Sequence, residues 1–262
     1  MDIINDLAQG ILRAKARKER FHPIEVAGKR IGAEMAYAVQ DNLVRGWTGG
    51  RAAAVAGYKV GLTSPAMQAM CGISSPIYGR ILRDTVLPSG AEVPLAAHGR
   101  LGIEFEIAVR LNQDIDAGGA HARTLSGLGR LVDAICPALE LIDDRDADYQ
   151  CLDGPSIVAN NSWNAGVVLG TWQKLPADLA QRGGRTYRDG AHVSQGRVGD
   201  ALGNPLESVR WLLAELAGHG ISLPAGSIIM TGSIVQTCFP EHRENWRFEV
   251  DGMGDVAMRA AA

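Results

Sequence analysis

Apolar residues recur along this chain with two different periods, and the change from one to the other divides it. Over residues 2–20, Ile3, Ile4, Leu7, Ile11 and Leu12 fall at helical spacing, and Arg13, Lys15, Arg17, Lys18 and Arg20 give the segment the basic end that suits a helix C-terminus. His22-Pro23 stops it. A second stripe of Ile31, Met35, Val39 and Leu43 predicts a helix over 30–47, closed by Gly49-Gly50. From residue 56 the pattern shortens. Tyr58 to Leu62 suits a strand, and Thr63-Ser64-Pro65 opens a short helix through Met70, with Ser64 as its N-cap. Residues 102–111 read as a core strand. Leu125, Leu128, Leu131, Val132 and Ile135 predict a helix over 123–135 that Pro137 ends, and a second apolar strand follows over 137–145. Residues 156–170 begin polar and end as a buried strand, and 171–203 read as strands and turns. Asn204-Pro205-Leu206-Glu207 is a helix start, with the helix running to residue 217. A strand over 227–234 and a hairpin over 246–259, turning through 251–254, complete the chain. These elements predict an α+β fold: an N-terminal helical lobe, 1–55, packed on a β-rich body, 56–262.

Composition narrows the classes. The 262 residues are 46 % hydrophobic and 21 % charged, which supports a full core and argues against disorder. A net charge of −3 with no long basic run gives no footprint for nucleic acid or an anionic membrane. The opening residues lack the basic-then-apolar order of a signal peptide. No apolar run approaches the roughly 20 residues of a membrane span, so a cytoplasmic protein is expected. Cys71, Cys136, Cys151 and Cys238 show no CxxC spacing and are expected to be reduced, small buried residues.

The chemistry lies in charges placed inside apolar runs. In Ile103-Glu104-Phe105-Glu106-Ile107 the two glutamates share one face of a strand, roughly 7 Å apart, where they repel unless the face is wet or a cation sits between them. Glu140 stands between Leu139 and Leu141, where a lone buried carboxylate is costly and a coordinated one is not. Lys59 stands among apolar and glycine neighbours, either on an edge strand facing water or as a cation facing an acidic site. Asp143, Asp144 and Arg145 suit a local ion pair. Three glutamates on strands make an all-oxygen site for Mg²⁺ or Mn²⁺. The six histidines lack HxH or HxxxH spacing, which disfavours zinc, and no Walker loop or GxSxG elbow occurs.

Several stretches then carry a resemblance. Gly57-Tyr58-Lys59-Val60-Gly61-Leu62-Thr63-Ser64, Ile103-Glu104-Phe105-Glu106-Ile107-Ala108, Pro137-Ala138-Leu139-Glu140-Leu141-Ile142-Asp143, Asn164-Ala165-Gly166-Val167-Val168-Leu169-Gly170 and Gly203-Asn204-Pro205 resemble, in order, the 2-keto-4-pentenoate hydratase / 4-oxalocrotonate decarboxylase family of the fumarylacetoacetate hydrolase superfamily. The resemblance implies that superfamily's mixed β-sheet roll or barrel and a homo-oligomeric, cytoplasmic enzyme. It implies Mg²⁺ or Mn²⁺ held by Glu104, Glu106 and Glu140, a catalytic Lys59 with a family acidic position at Asp84, and pocket residues at Ser64, Asn161, Ser162 and Ser233. The implied substrate is a small 2-hydroxy-2,4-dienoate or 2-oxo-enoate of aromatic meta-cleavage, and the implied reaction is its hydration. Decarboxylation of a vinylogous 2-oxo diacid, and a non-catalytic relative that only binds 2-oxo acids, are the alternatives. Two positions depart from the hydratase pattern. Pro76-Ile77-Tyr78-Gly79 has isoleucine where hydratases often have aspartate, and Asn160-Asn161 replaces an Asp-Asn pair. Arg80, Arg83 and Arg145 are candidates for holding a second substrate carboxylate, with surface arginines the plainer reading.

Overall fold

The computed structural model describes residues 2–118 and 124–262. Helices α1 (Ile3–Ala16) and α2 (Ala33–Thr48) flank a small hairpin of β1 (Glu25–Val26) and β2 (Lys29–Arg30). Then come β3 (Val55–Gly61), α3 (Pro65–Met70), β4 (Ile77–Leu82), β5 (Val86–Pro88), β6 (Ala91–Pro94) and β7 (Leu101–Leu111). They are followed by α4 (Leu125–Gly129), β8 (Val132–Asp143), α5 (Gly154–Ala159), β9 (Asn164–Leu169), β10 (Gly183–Arg188) and β11 (Ala191–Arg197). Helix α6 (Pro205–Gly218), β12 (Ile228–Met230), β13 (Asn245–Val250) and β14 (Gly254–Ala261) finish the chain.

Two mixed sheets form the α+β body. One runs in the order β4-β3-β12-β7-β8-β9-β5, the other β11-β10-β13-β14-β6. Alternation along β7 turns Phe105 toward the second sheet, where its ring lies 6.0 Å from Trp246 and 5.8 Å from Phe248. Parallel pairing of β12 with β3 brings Ile228 hard against Gly57: a Cβ there would sit 1.8 Å from the Ile228 carbonyl oxygen. Only glycine permits that approach. Helix α2 lies on the edge strand β4. The Tyr37 and Tyr78 rings stack at 4.3 Å, and Gln40 donates to the carbonyls of Tyr78 (3.0 Å) and Val158 (2.9 Å). Among the described residues no helix is long and apolar enough to cross a membrane.

The expected helix over 123–135 is helical only over Leu125–Gly129, and its end, 132–135, is strand. Arg123 lies outside the described residues. Thr124 caps the short α4, and its hydroxyl accepts from the Gly127 N–H at 3.2 Å. The chain then becomes β8, which pairs antiparallel with β7 from Leu111↔Val132 to Leu101↔Asp143. Pro137 ends no helix. It sits within β8, and its carbonyl accepts from the Gly170 N–H at 2.9 Å. Leucine spacing favours either state locally, and the long ladder decides. The local ion pair expected at Asp143, Asp144 and Arg145 also gives way. Asp144 pairs with Arg100, while Arg145 donates to Asn160 (2.7 Å) and to the Glu19 carbonyl (3.1 Å). Arg80 and Arg145 are buried rather than surface residues, and Cys151 is exposed rather than buried. All four cysteines are free.

Candidate metal centre

The register of β7 against β8 builds the centre. It sets Glu104 directly opposite Glu140, and residues facing each other across a ladder share a face. Glu106 joins them by alternation. A carboxylate oxygen from each of the three lies within 4.8 Å of the others. Glu106 and Glu140 are both 0 % exposed, and Glu104 is half-buried. Lys59 arrives from β3 by way of β12, whose Met230 pairs with Lys59 on one side and Ala108 on the other. Its Nζ lies 3.1 Å from Glu140 Oε1.

The hydrogen-bond donors around the cluster are few. Thr237 Oγ1 donates to Glu104 (2.9 Å), the Gly232 N–H to Glu106 Oε2 (2.7 Å) and Asn164 Nδ2 to Glu140 Oε1 (3.0 Å). Glu106 Oε1 and Glu140 Oε2 are buried with no hydrogen-bond partner. Burial, then the charges of Glu140 and Glu104, hold the Glu106 pKa well above the carboxylate range. Burial likewise raises Glu140 to about 7, with Lys59 and Asn164 opposing and Glu104 adding. For Lys59, burial works against the charge, but the attraction of Glu140, Glu104 and Glu106 outweighs it and the pKa is raised. One ammonium therefore leaves the cluster with excess negative charge and two unused oxygens. A hard divalent cation fits that donor set.

A cavity of about 610 Å³ opens onto Glu104, and Ser64, Gly232, Ser233 and Thr237 are among its walls. At Gly61 in the same wall, a Cβ would meet Lys59 Nζ at 3.0 Å and Ile77 Cγ1 at 3.6 Å, so the lysine and Ile77 both lie against a bare stretch of backbone. The next residue, Leu62, holds a left-handed φ of 53°. Ser64 caps α3 by accepting from the Met67 N–H at 3.3 Å. Ser233 Oγ accepts from the Phe105 N–H at 3.0 Å and donates to the Val235 carbonyl at 2.8 Å.

The other expected site residues lie elsewhere. Asp84 is exposed in a separate cleft with Lys15, Trp47, Asn161 and Asn164. Asn161, Ser162 and Trp163 all take left-handed φ values, and the side chains of the first two brace β4. Asn161 Oδ1 accepts from the Arg80 N–H (2.7 Å) and its Nδ2 donates to the Arg80 carbonyl (2.9 Å), while Ser162 Oγ donates to the Tyr78 carbonyl (2.7 Å). Gly232 reaches the cluster from the Gly232-Ser233 turn, which resembles a pocket-lining stretch of the family; Asn164 and Thr237 also touch it and are not singled out by the sequence, Asn164 standing in a dense Asn/Ser cluster and Thr237 carrying no signal.

Comparison with known proteins agrees with this geometry. Residues 72–260 match the family described as fumarylacetoacetate (FAA) hydrolase, C-terminal. The chain belongs to the fumarylacetoacetate hydrolase family. Among its relatives in that family, a 2-oxo-hept-4-ene-1,7-dioate hydratase of Escherichia coli is 32 % identical over 97 % of this chain and 96 % of its own. A 2-keto-4-pentenoate hydratase of Burkholderia vietnamiensis is 30 % identical over 97 % and 95 %. The solved 4-oxalocrotonate decarboxylase from Pseudomonas putida G7, complexed with magnesium and adipate, superposes with a TM-score of 0.89 at 29 % identity, over 99 % of this chain and 97 % of that one. Fumarylacetoacetate hydrolase membership accounts for the curled mixed sheet that places the carboxylates.

Proposed function

We propose that the protein is a magnesium- or manganese-dependent hydratase that adds water to a 2-hydroxy-2,4-dienoate to give a 4-hydroxy-2-oxo acid. The observation that carries this reading is the buried carboxylate trio with two unpartnered oxygens beside Lys59. Glu104, Glu106 and Glu140 would hold the ion, which supplies Lewis-acid stabilisation of the negative charge that develops on a 2-oxo acid. Lys59 carries its ammonium at the edge of the cavity wall, where it can orient the substrate carboxylate or deliver a proton. Thr237, Gly232 and Asn164 fix one oxygen of each glutamate, and the second oxygens of Glu106 and Glu140 have no hydrogen-bond partner among the described residues. Ser64 and Ser233 line the way in: the Ser64 hydroxyl can donate to the incoming acid or to water, while Ser233, whose proton goes to the Val235 carbonyl, can accept from water. The names of the hydratase relatives support the reaction. We take the working form to be a homo-oligomer, which analytical ultracentrifugation checks.

The test follows the loss of dienol absorbance of 2-hydroxypenta-2,4-dienoate with Mg²⁺, with product analysis by mass spectrometry. Turnover abolished by EDTA and by Glu106→Ala is expected. No turnover, or turnover indifferent to both, sinks the reading. A decarboxylase is the second reading, and Ile77 favours it: a buried apolar side chain occupies the place beside Lys59 where hydratases often have aspartate. It predicts CO₂ release from 2-oxohex-3-enedioate.

A further inference from the structure

The cavity that reaches Glu104 is unequal along its walls. Its polar lining gathers near the glutamates, at Ser64, Gly232, Ser233 and Thr237. The rest of the wall is mostly apolar, with Leu62, Met70, Ile234 and Phe239 among its residues, and its remaining uncharged polar side chains are Thr63, Tyr149 and Gln236. Met70 and Phe239 are 40 % and 39 % exposed, two of the few large apolar side chains left open to water among the described residues. No lysine, arginine or histidine is among the described residues that line it. Its charged residues, Glu104 and Asp200, are both carboxylates. Arg100 comes close, stacked on Phe239 (4.5 Å) and Tyr149 (5.9 Å), two lining residues. Its guanidinium is already neutralised by Asp144 and Asp146. Arg80 and Arg145, the other buried arginines, hold Gln40, Asp41, Asn160 and backbone, and neither lines this cavity.

An anion anchored beside Lys59 is therefore followed by a wall that favours carbon. A second carboxylate along this wall would meet the like charge of Asp200 and no cation among the described lining residues, exchanging its hydration for neutral groups at best. A volume of about 610 Å³ also exceeds what a five-carbon acid fills, since cavities of roughly 300–1,000 Å³ enclose drug-sized ligands. We infer that the protein selects a monocarboxylate whose 2-oxo acid or dienoate head is followed by an alkyl or aryl tail, and that it discriminates against dicarboxylates. The inference rests on the 2-oxo acid reading given above and adds the chemical class of the tail.

Unreactive 2-oxo acids separate the two. Calorimetric titration of the Mg²⁺-loaded protein would compare pyruvate, 2-oxooctanoate and 2-oxooctanedioate. Binding of 2-oxooctanoate should exceed that of both others by about tenfold or more, roughly what two buried methylenes supply. Met70→Arg and Val235→Arg, each placing a cation on the apolar wall, should tighten the diacid relative to 2-oxooctanoate by about tenfold. The inference is overturned if the wild-type protein binds the diacid as tightly as 2-oxooctanoate, if pyruvate matches 2-oxooctanoate, or if neither variant shifts the preference. Pyruvate binding that depends on Mg²⁺, with no gain from the tail, would refute this inference alone. Absence of Mg²⁺-dependent binding by all three would remove the 2-oxo acid reading, and this inference with it.

Discussion

Replacing Glu106 by glutamine tests the electrostatics of the centre without relying on turnover. In the metal-free protein, Glu106 is fully buried, one of its oxygens has no partner, and two further carboxylates share its face. Glutamine keeps an oxygen for the Gly232 N–H and cannot ionise, so it adds no negative charge to the shared face at any pH. The size of the strain can be gauged at its neighbour. Glu140 is raised from 4.5 to about 7, so holding it ionised in the fold costs about 3 kcal/mol. The sign follows from proton counts. The unfolded chain releases the Glu140 proton near the ordinary glutamate value and the metal-free fold keeps it to higher pH. Metal-free stability therefore falls as pH rises from the ordinary glutamate value through about 7, and the raised pKa of Glu106 acts in the same direction. Relieving part of this repulsion should make metal-free Glu106→Gln more stable than wild type by about 1–3 kcal/mol at about pH 8, and nearly equal at about pH 5. Urea denaturation at the two pH values measures the difference. Adding Mg²⁺ at about a hundred times its Kd should then stabilise the wild type by about 2.7 kcal/mol and the variant far less, reversing their order. A Glu106→Gln protein that is less stable than wild type without metal at the higher pH, or that gains as much from Mg²⁺, would refute the argument that these carboxylates are strained toward a cation.

Lys59→Met removes the cation 3.1 Å from Glu140 and should cost the metal-free fold about 3–5 kcal/mol, read by thermal denaturation, with part of the deficit recovered when Mg²⁺ is added. Asn161→Ala deletes both hydrogen bonds to the Arg80 backbone and should lower stability by about 2–3 kcal/mol while leaving the KM for a dienoate unchanged. A raised KM at unaltered Tm would instead put that amide on the substrate. Gly57→Ala drives a methyl to 1.8 Å from the Ile228 oxygen and should abolish soluble folded protein, checked by expression yield and circular dichroism.

Why some of this was legible in the sequence and some not follows from the range of the interactions. Glu104 and Glu106 could be placed on one face because alternation along a strand is local. Glu140 stood out because a carboxylate between leucines needs a partner. That Glu104 faces Glu140 depends on the register of β7 and β8, which no local pattern encodes. The same pairing overrode the helical spacing of Leu131, Val132 and Ile135 and took Pro137 into a strand. Terminal caps were readable at Ser64 and Asn204, whose side chains accept from Met67 and Leu206 as their positions demand. Polar residues in turns gave no such signal. Thr237 and Asn164 reach the cluster through loop and strand-end geometry, and an amide such as Asn161 can as well stand in for a neighbouring strand as for a ligand's partner.

The choice between adding water and releasing CO₂ turns on residues just outside the carboxylate trio, because both reactions need the same stabilisation of negative charge on the 2-oxo acid head. Lys59 Nζ and the carbon of Ile77 both lie over Gly61, and Lys59 also meets Glu140 Oε1. A proton on Nζ is thus available to the head of the substrate, which serves either reaction. Hydration asks for one thing more, a group that directs water to the far end of the conjugated system. Ile77 supplies none. Among the groups that line the cavity and can bind water are the half-buried carboxylate of Glu104 with Thr237 bonded to it, and the hydroxyls of Ser64 and Ser233. Water addition here must be organised from the mouth of the site, on the same wall that gives way to Leu62, Met70 and Phe239, so the fit of the substrate's tail and the placement of water are settled on one surface.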